Sequence, residues 1–202
     1  MKTIFFILLL FLGTVGHAQD TLMKPILRKK PEARKEYISI YRIFPKGIGN
    51  NVLAKAHNGQ GAVGVTVTFY EHNMLHVQGL YEFMQYEVTD RSLAANVQYT
   101  NLANYGLQGL YKIPIVNKVD LNPKFSVTYM TLHQRDNRSS YGKQEGYGFS
   151  AGFDTDFRIA GGFRIFAGLG YAWSFPKTHT NEEYKSFFGS LQQLNIQLGI
   201  KF

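Results

Sequence analysis

The sequence predicts an all-β fold, an eight-stranded antiparallel up-and-down β-barrel that crosses a membrane, and three observations support this prediction. Segments of strand length carry apolar residues at every second position. The large apolar side chains share one face of these segments, whereas Gly, Ser and charged side chains share the other. The connections alternate between short turns and longer polar loops, which is typical of even-numbered membrane barrels.

The C-terminal part of the chain shows the alternation most clearly. Apolar residues occupy every second position of Leu194–Phe202, and the same holds for Phe163–Phe175 and Tyr147–Ile159. A soluble sandwich would place the large side chains inside, whereas a narrow polar lumen surrounded by lipid suits this pattern. The eight predicted strands are Tyr37–Phe44, Gly61–Tyr70, Met74–Val88, Asn104–Val116, Leu121–Gln134, Tyr147–Ile159, Phe163–Phe175 and Leu194–Phe202.

The connections predict where both ends of the barrel lie. Three are short (71–73, 117–120 and 160–162) and four are long and polar (45–60, 89–103, 135–146 and 176–189). Short periplasmic turns and long extracellular loops place both chain termini on the periplasmic side. A three-residue first turn predicts Phe69 opposite Leu75, and the turn at 160–162 predicts Ile159 opposite Phe163 and Arg158 opposite Arg164.

The N-terminus predicts export. Met1 and Lys2 precede an apolar run from Ile4 to Leu12, and Gly16 and Ala18 fit a signal-peptidase site before Gln19. The apolar run is too short to cross roughly 30 Å of hydrocarbon, which needs about 20 residues. We therefore expect a signal peptide at 1–18, a basic periplasmic segment at 19–35 and the barrel at 36–202.

Composition narrows the classes of protein. The chain has no cysteine, so it has neither disulfides nor the cysteine that anchors a lipoprotein. Aromatic residues make up 15% of the chain, and a barrel uses them as girdles at both membrane interfaces. Much of the net charge of +8 lies between Lys24 and Lys35, which we interpret as a solvated segment, and no nucleic-acid partner is expected.

Ionisable residues on the predicted lumen face form the candidate site. Eight residues lie on this face: His76, Glu82, Lys112, Asp154, Asp156, Arg158, Arg164 and Lys201. A catalytic or transport site is one interpretation, and an ion-pair network that fills a narrow barrel is the favoured one, because buried charges are tolerated when paired. The predicted network comprises Glu82, Lys112, Asp154, Asp156, Arg158 and Arg164.

Other functions find weaker support. No His or carboxylate cluster has metal-ligand spacing, and no cofactor is expected. A lipid-modifying enzyme needs a nucleophile beside a base, and Thr178-His179-Thr180, with Glu182 or Glu183 near His179, lies in a predicted loop. A soluble lipocalin-like barrel with an apolar ligand remains an alternative, because alternation defines two faces but not which one is inside.

The chain resembles a known family, the small outer-membrane β-barrels of OmpA/OmpX type with the "outer membrane protein β-barrel" domain that is abundant in Bacteroidetes-type bacteria. The residues that carry the resemblance are Gly16–Gln19, the hairpin Gly61–Val88, the segment Tyr105–Pro114 and the alternating last strand with terminal Phe202. The resemblance implies a monomeric, non-enzymatic barrel in the cell outer membrane, in contact with lipid and lipopolysaccharide. It also implies that Phe202 is an assembly signal for the barrel assembly machinery.

Overall fold

A computed structural model describes residues 38–94, 96–136 and 140–202 of the chain. The expected signal peptide and basic segment lie outside these residues. The strands are β1 Ile38–Gly47, β2 His57–His72, β3 Leu75–Val88, β4 Tyr99–Tyr111, β5 Ile113–Val116, β6 Val119–Arg135, β7 Ser140–Ala160, β8 Phe163–Pro176 and β9 Leu191–Lys201. The helices are α1 Val52–Ala56 and α2 Lys185–Gly189, with a 3₁₀ turn at Glu182–Tyr184.

The strands form a closed antiparallel barrel. Strands that follow one another in the chain pair with each other, except β4 and β5; in addition β1 pairs with β9, and β4 pairs with β6. The short β5 continues β4 along β6, so that β4 and β5 together count as one strand of the barrel. The predicted eight-stranded barrel is therefore confirmed. A path that steps from each residue to its paired residue on the next strand, once around the barrel, starts on β6 at Tyr129 and ends on β6 at Val119, ten residues away. This stagger tilts the strands and leaves an interior that side chains can fill.

The tight turns and both ends of the described chain lie at one end of the barrel, which we call the turn end. Ile38 and Phe202 exchange two backbone hydrogen bonds of 3.0 Å there and close the seam between β1 and the chain end. The predicted three-residue first turn is wrong, because His72 pairs with Leu75 and Asn73 takes a positive φ of 54°. Such two-residue turns match strand twist, and Asn tolerates the left-handed conformation.

Bulges correct the register of two predicted hairpins. An irregularity between Thr68 and Tyr70 moves Gln78 opposite Thr68, so Phe69 does not face Leu75. In the β7–β8 hairpin Arg158 pairs with Arg164 as predicted. The expected partner of Phe163 was Ile159, but Ala160 pairs with Phe163 because a bulge precedes the turn.

The opposite end, which we call the loop end, carries α1 and α2. The predicted loop 135–146 is wrong, because β6 and β7 remain paired up to Arg135 and Ser140. Polar residues cover both faces of this extension, so the alternation that marks a membrane-facing strand is absent although the backbone pairing continues. The loops 45–60 and 89–103 are shorter than predicted for the same reason, since β2 begins at His57 and β4 at Tyr99.

Candidate functional site: the filled lumen of the barrel

The barrel is polar inside and apolar outside. Charged and amide side chains of β3, β6, β7, β8 and β9 are buried in the lumen, whereas exposed large apolar side chains are present on every long strand. Along β7, for example, Asp154 and Asp156 are buried, while Phe149, Phe153 and Phe157 are 43%, 46% and 42% exposed. The two faces therefore have the orientation that the sequence predicted for a membrane barrel.

Six charges meet in the turn half of the lumen, of which Lys124 is half-buried and the others are buried, and we call them the ion cluster: Asp120, Asp154, Asp156, Lys124, Arg164 and Lys201. The Lys201 ammonium lies 2.7 Å from Asp156 Oδ1 and 3.0 Å from Asp154 Oδ1. The Arg164 guanidinium forms an ion pair with Asp120 and lies 4.0 Å from Asp156 Oδ2. With three carboxylates and three cations, the cluster is neutral, as burial requires.

Strand pairing brings the acidic members together. Asp120 pairs with Asp156, and Asn122 pairs with Asp154, so the carboxylates lie side by side on β6 and β7. Two of the cations come from the next two strands, where Arg164 on β8 pairs with Lys201 on β9. Two aspartates face each other across the β6–β7 pair and two cations face each other across the β8–β9 pair, and like charges in such positions repel. Contact between the acidic pair and the basic pair in the lumen offsets both repulsions.

Asp154 connects the ion cluster to the centre of the lumen. Its Oδ2 lies 3.1 Å from the Lys124 ammonium, and Asn122 Nδ2 donates to its Oδ1 at 2.7 Å. Lys124 also donates to Gln197 Oε1 at 2.5 Å. These contacts connect β6, β7 and β9 across the lumen, and a connected polar network of this kind makes the interior rigid.

Glu82 joins this network through an amide. Gln197 Nε2 donates to Glu82 Oε1 at 3.4 Å, and the Tyr41 hydroxyl donates to the same oxygen at 3.0 Å. The cavity beside Tyr41, Lys124 and Asp154 has room for about one water molecule. The geometry therefore suits a solid polar core better than a solute path.

An apolar plug fills the loop half of the lumen. Helix α1 inserts Val52, Leu53 and Ala56 into the barrel, where all three are buried. They pack with buried residues from the strands, namely Ile43, Met84, Leu102, Met130 and Leu191. Asn51 caps the helix by accepting from the Ala54 amide at 3.2 Å, which holds the plug in place.

Polar contacts fix the plug to the barrel wall. His57 Nδ1 lies 3.0 Å from the Val52 carbonyl oxygen of the plug, and its Nε2 lies 2.8 Å from Thr100 Oγ1 on β4. The Thr89 amide donates to the Ala56 carbonyl at 2.8 Å. Beyond the plug, hydrogen bonds from the Ser92 hydroxyl and amide lower the pKa of the exposed Asp90 carboxyl in the β3–β4 loop.

The predicted network residues are placed as follows. Glu82, Asp154, Asp156 and Arg164 are buried in the lumen, and Lys112 lies 3.9 Å from Asp120 near the turn end. Arg158 is half-buried, and among the described residues no ion pair joins it to the ion cluster. Its expected place beside Asp154 and Asp156 is taken by Lys201, whose ammonium lies within 3.0 Å of both carboxylates.

Sequence reasoning missed Asp120 and Lys124. Asp120 was assigned to a four-residue turn, but β6 begins at Val119. The alternation of polar Asp120, Asn122 and Lys124 with Leu121, Pro123 and Phe125 is the signal that places both charges on the lumen face.

Aromatic side chains form two bands on the outer surface. Tyr81, Tyr105, Tyr129 and Tyr147 pair in one row across four strands, at mid-strand on β3 and β4 and nearer the loop end on β6 and β7, with ring centroids 5.4 Å apart for Tyr105 and Tyr129. Near the turn end the exposed aromatic residues are Phe69, Tyr70, Tyr111, Phe157, Phe163 and Phe202. Aliphatic side chains and phenylalanines lie between the bands, which is the arrangement of interfacial girdles around an apolar belt.

Membrane-spanning helices and metal sites were the other two features sought in the described part of the chain. None of its helices is long and apolar enough to span a bilayer. Residues 38–94, 96–136 and 140–202 also contain no group of three His, Cys, Asp or Glu side chains placed to hold a metal ion.

Fold and lumen together define a closed eight-stranded barrel of the outer-membrane type. The crystal structure of Neisserial surface protein A (NspA) is similar to this chain, with a TM-score of 0.59 and 14% identity over 82% of this chain and 95% of NspA. A major outer membrane protein from Thermus thermophilus has a TM-score of 0.51 and 13% identity over 83% of this chain and all of that protein. No protein-family model and no curated protein matches the sequence. At these identities the comparisons show a shared fold.

Proposed function

We propose that this chain is an outer-membrane β-barrel of OmpA/OmpX-like type with a structural or surface-interaction role and no enzymatic activity. The observation that carries the proposal is the reversed polarity of the barrel. Ion pairs fill the turn half of the lumen, and large apolar side chains cover the outside of every long strand. Only a lipid surround makes both faces favourable at once.

The size of the apolar surface supports insertion in a membrane. Soluble monomers rarely expose contiguous apolar patches larger than a few hundred Å², whereas here exposed large apolar residues surround the barrel. Two aromatic bands border this belt where membrane interfaces would lie. Export through the signal peptide at 1–18, assembly through Phe202 and a monomeric state in contact with lipid and lipopolysaccharide are parts of the same proposal.

The filled lumen favours a structural role over transport. The ion cluster occupies the turn half, and α1 occupies the loop half. The groups left for contact with other molecules lie at the loop end, where Leu93 and Tyr184 are exposed beside charged residues such as Arg91 and Lys185. We propose that contacts with other molecules are made by these loops.

The two alternatives fit the geometry less well. A lipocalin-like barrel needs its large apolar residues inside, and Phe149, Phe153 and Phe157 point outward. A lipid-modifying enzyme needs a nucleophile and base in contact. Thr178 instead donates to Gln144 Oε1 at 3.4 Å, and the exposed His179 makes no contact with Glu182 or Glu183 among the described side chains.

Cell fractionation combined with heat-modifiable gel mobility tests the proposal. A closed barrel in the outer membrane should fractionate with outer-membrane markers and migrate differently before and after boiling. A protein that stays in solution after removal of all detergent and shows one mobility would contradict it.

A further inference from the structure

A single arginine interrupts the apolar outer surface of β1. Arg42 is exposed and points outward, and its paired neighbours are Val63 on β2 and Leu198 on β9. The next outward residues on its own strand are Ile40 and Phe44, both exposed. A cation in an apolar belt is costly, and charges retained at such depth usually have a function.

None of the protein groups that the structure describes neutralises this cation. Among the described residues no hydrogen bond or ion pair reaches its guanidinium, and its contact is with the face of the Phe44 ring, 5.4 Å from the centroid. This differs from the buried cations of the ion cluster, such as Lys201, which have carboxylates within 3.0 Å. The anion that balances Arg42 must therefore come from outside the described barrel.

The Arg42 side chain lies toward the loop end. Phe44, which its guanidinium covers, is the next outward residue in that direction. The guanidinium also lies beside Gly61, one residue on from the Ala62 that pairs with Ile43, because a Cβ at Gly61 would be in van der Waals contact with Arg42 Nη2 at 3.5 Å. The Arg42 stem thus lies along the apolar belt and its charge is directed toward the loop end, as expected of a snorkelling side chain.

A second cation lies on the same face above it. Lys46 is exposed and points outward four residues further along β1, roughly 13 Å away at strand spacing. Arginine and lysine both bind phosphate, and arginine can do so with two parallel hydrogen bonds. Together they place two positive charges on the outer surface of β1, directed toward its loop end.

We infer that Arg42, assisted by Lys46, binds the phosphate group of an outer-leaflet lipid against the β1–β2 wall of the barrel. The inference rests on the proposed function, because it needs the barrel in a membrane. A lipid is favoured over a second copy of the chain because the apolar belt extends around every strand and is not restricted to one patch. The acyl chains of the lipid would cover Ile40, Val63 and Leu198 below the phosphate.

Native mass spectrometry of the barrel released from maltoside detergent tests this inference. The probes are diphosphorylated lipid A, the same lipid without phosphates, and phosphatidylglycerol. The parent should retain the two phosphorylated lipids more strongly than the dephosphorylated one. Arg42→Gln should lower that retention about fivefold, the effect of one basic residue at an anionic lipid surface. Arg42→Lys should restore part of it, and Lys118→Gln, an exposed cation at the turn end, should change nothing.

Any one of three outcomes would overturn the inference. Equal retention by the parent and Arg42→Gln would remove Arg42 as the binding group. Inorganic phosphate that displaces the lipids at equal phosphate concentration would indicate a site for free anions. A dimer that Arg42→Gln dissociates would indicate a second copy as the partner. Heat-modifiable mobility, measured on every variant, distinguishes these failures from a failure of the barrel proposal itself.

Discussion

Replacement of Asp154 by Asn should destabilise the barrel strongly. The side chain keeps its size but loses its charge, and the site is buried, with 2% of Asp154 and 4% of Lys201 exposed. Removing one partner of a buried ion pair costs about 3–5 kcal/mol. In this variant Lys201 retains its ion pair with Asp156 at 2.7 Å, and Lys124 retains its hydrogen bond to Gln197 at 2.5 Å. We therefore expect a loss of unfolding free energy at the lower end of this range, about 3 kcal/mol.

A double-mutant cycle separates this ion pair from a packing effect. Lys124→Met removes the cation that Asp154 neutralises and preserves most of the side-chain volume. The double variant should cost less than the two single variants together, with a coupling energy of about 1–3 kcal/mol. Glu145→Gln is the matched control, because it breaks the exposed pair with Lys143 and should leave stability unchanged within error.

Urea unfolding in detergent micelles, monitored by Trp173 fluorescence, measures these energies. Trp173 is the one tryptophan of the chain, and its side chain lies on the outer surface. The midpoint should fall while the slope of free energy against urea stays constant. An Asp154→Asn variant as stable as the parent, or additive effects in the cycle, would refute the argument that a buried ion cluster fills the turn half of the lumen.

Three further predictions address the wall of the barrel. Phe153→Lys should oppose insertion by about 2–4 kcal/mol near the midplane, whereas Phe153→Leu should insert normally in a liposome folding assay; equal yields would contradict the assigned faces. Gly152→Ala should lower the free energy of unfolding by about 1–3 kcal/mol, because a Cβ there would lie 2.3 Å from the Leu169 carbonyl oxygen, and an unchanged urea midpoint would refute this. Phe202→Ala preserves the two backbone hydrogen bonds with Ile38 and should reduce outer-membrane levels without reducing export, measured by fractionation; normal membrane levels would exclude Phe202 as an assembly signal.

Alternation in the sequence was sufficient to predict the strands and their faces. In β7 the pattern of Phe153 and Phe157 against Asp154 and Asp156 has one solution for a membrane barrel, because a shift by one residue would expose the aspartates to lipid. The stagger of ten residues around the barrel is not encoded in any one strand. Contacts across the lumen, such as Tyr41 with Glu82, therefore could not be predicted from strand periodicity.

Local irregularities account for most of the remaining differences. The bulge near Phe69 shifts the pairing register of the first hairpin by one residue, and the alternation pattern gives no sign of this bulge. Beyond the apolar belt, β6 and β7 stay paired although their sequence there is polar. Because this segment lacks apolar alternation, the sequence predicts a loop at residues 140–146. Helix α1 has five residues, too few for a helical period to be recognised, and its burial depends on space that only the closed barrel creates.

Quenching of Trp173 by brominated lipids tests the central claim most directly. The account places polar groups inside and Trp173, 45% exposed, on the lipid-facing surface near the loop-end aromatic band. In bilayers the fluorescence of Trp173 should be blue-shifted, quenched strongly by bromines near the headgroups and less by bromines deep in the acyl chains, and protected from aqueous iodide. A red-shifted emission that iodide quenches and brominated lipids do not would contradict the account.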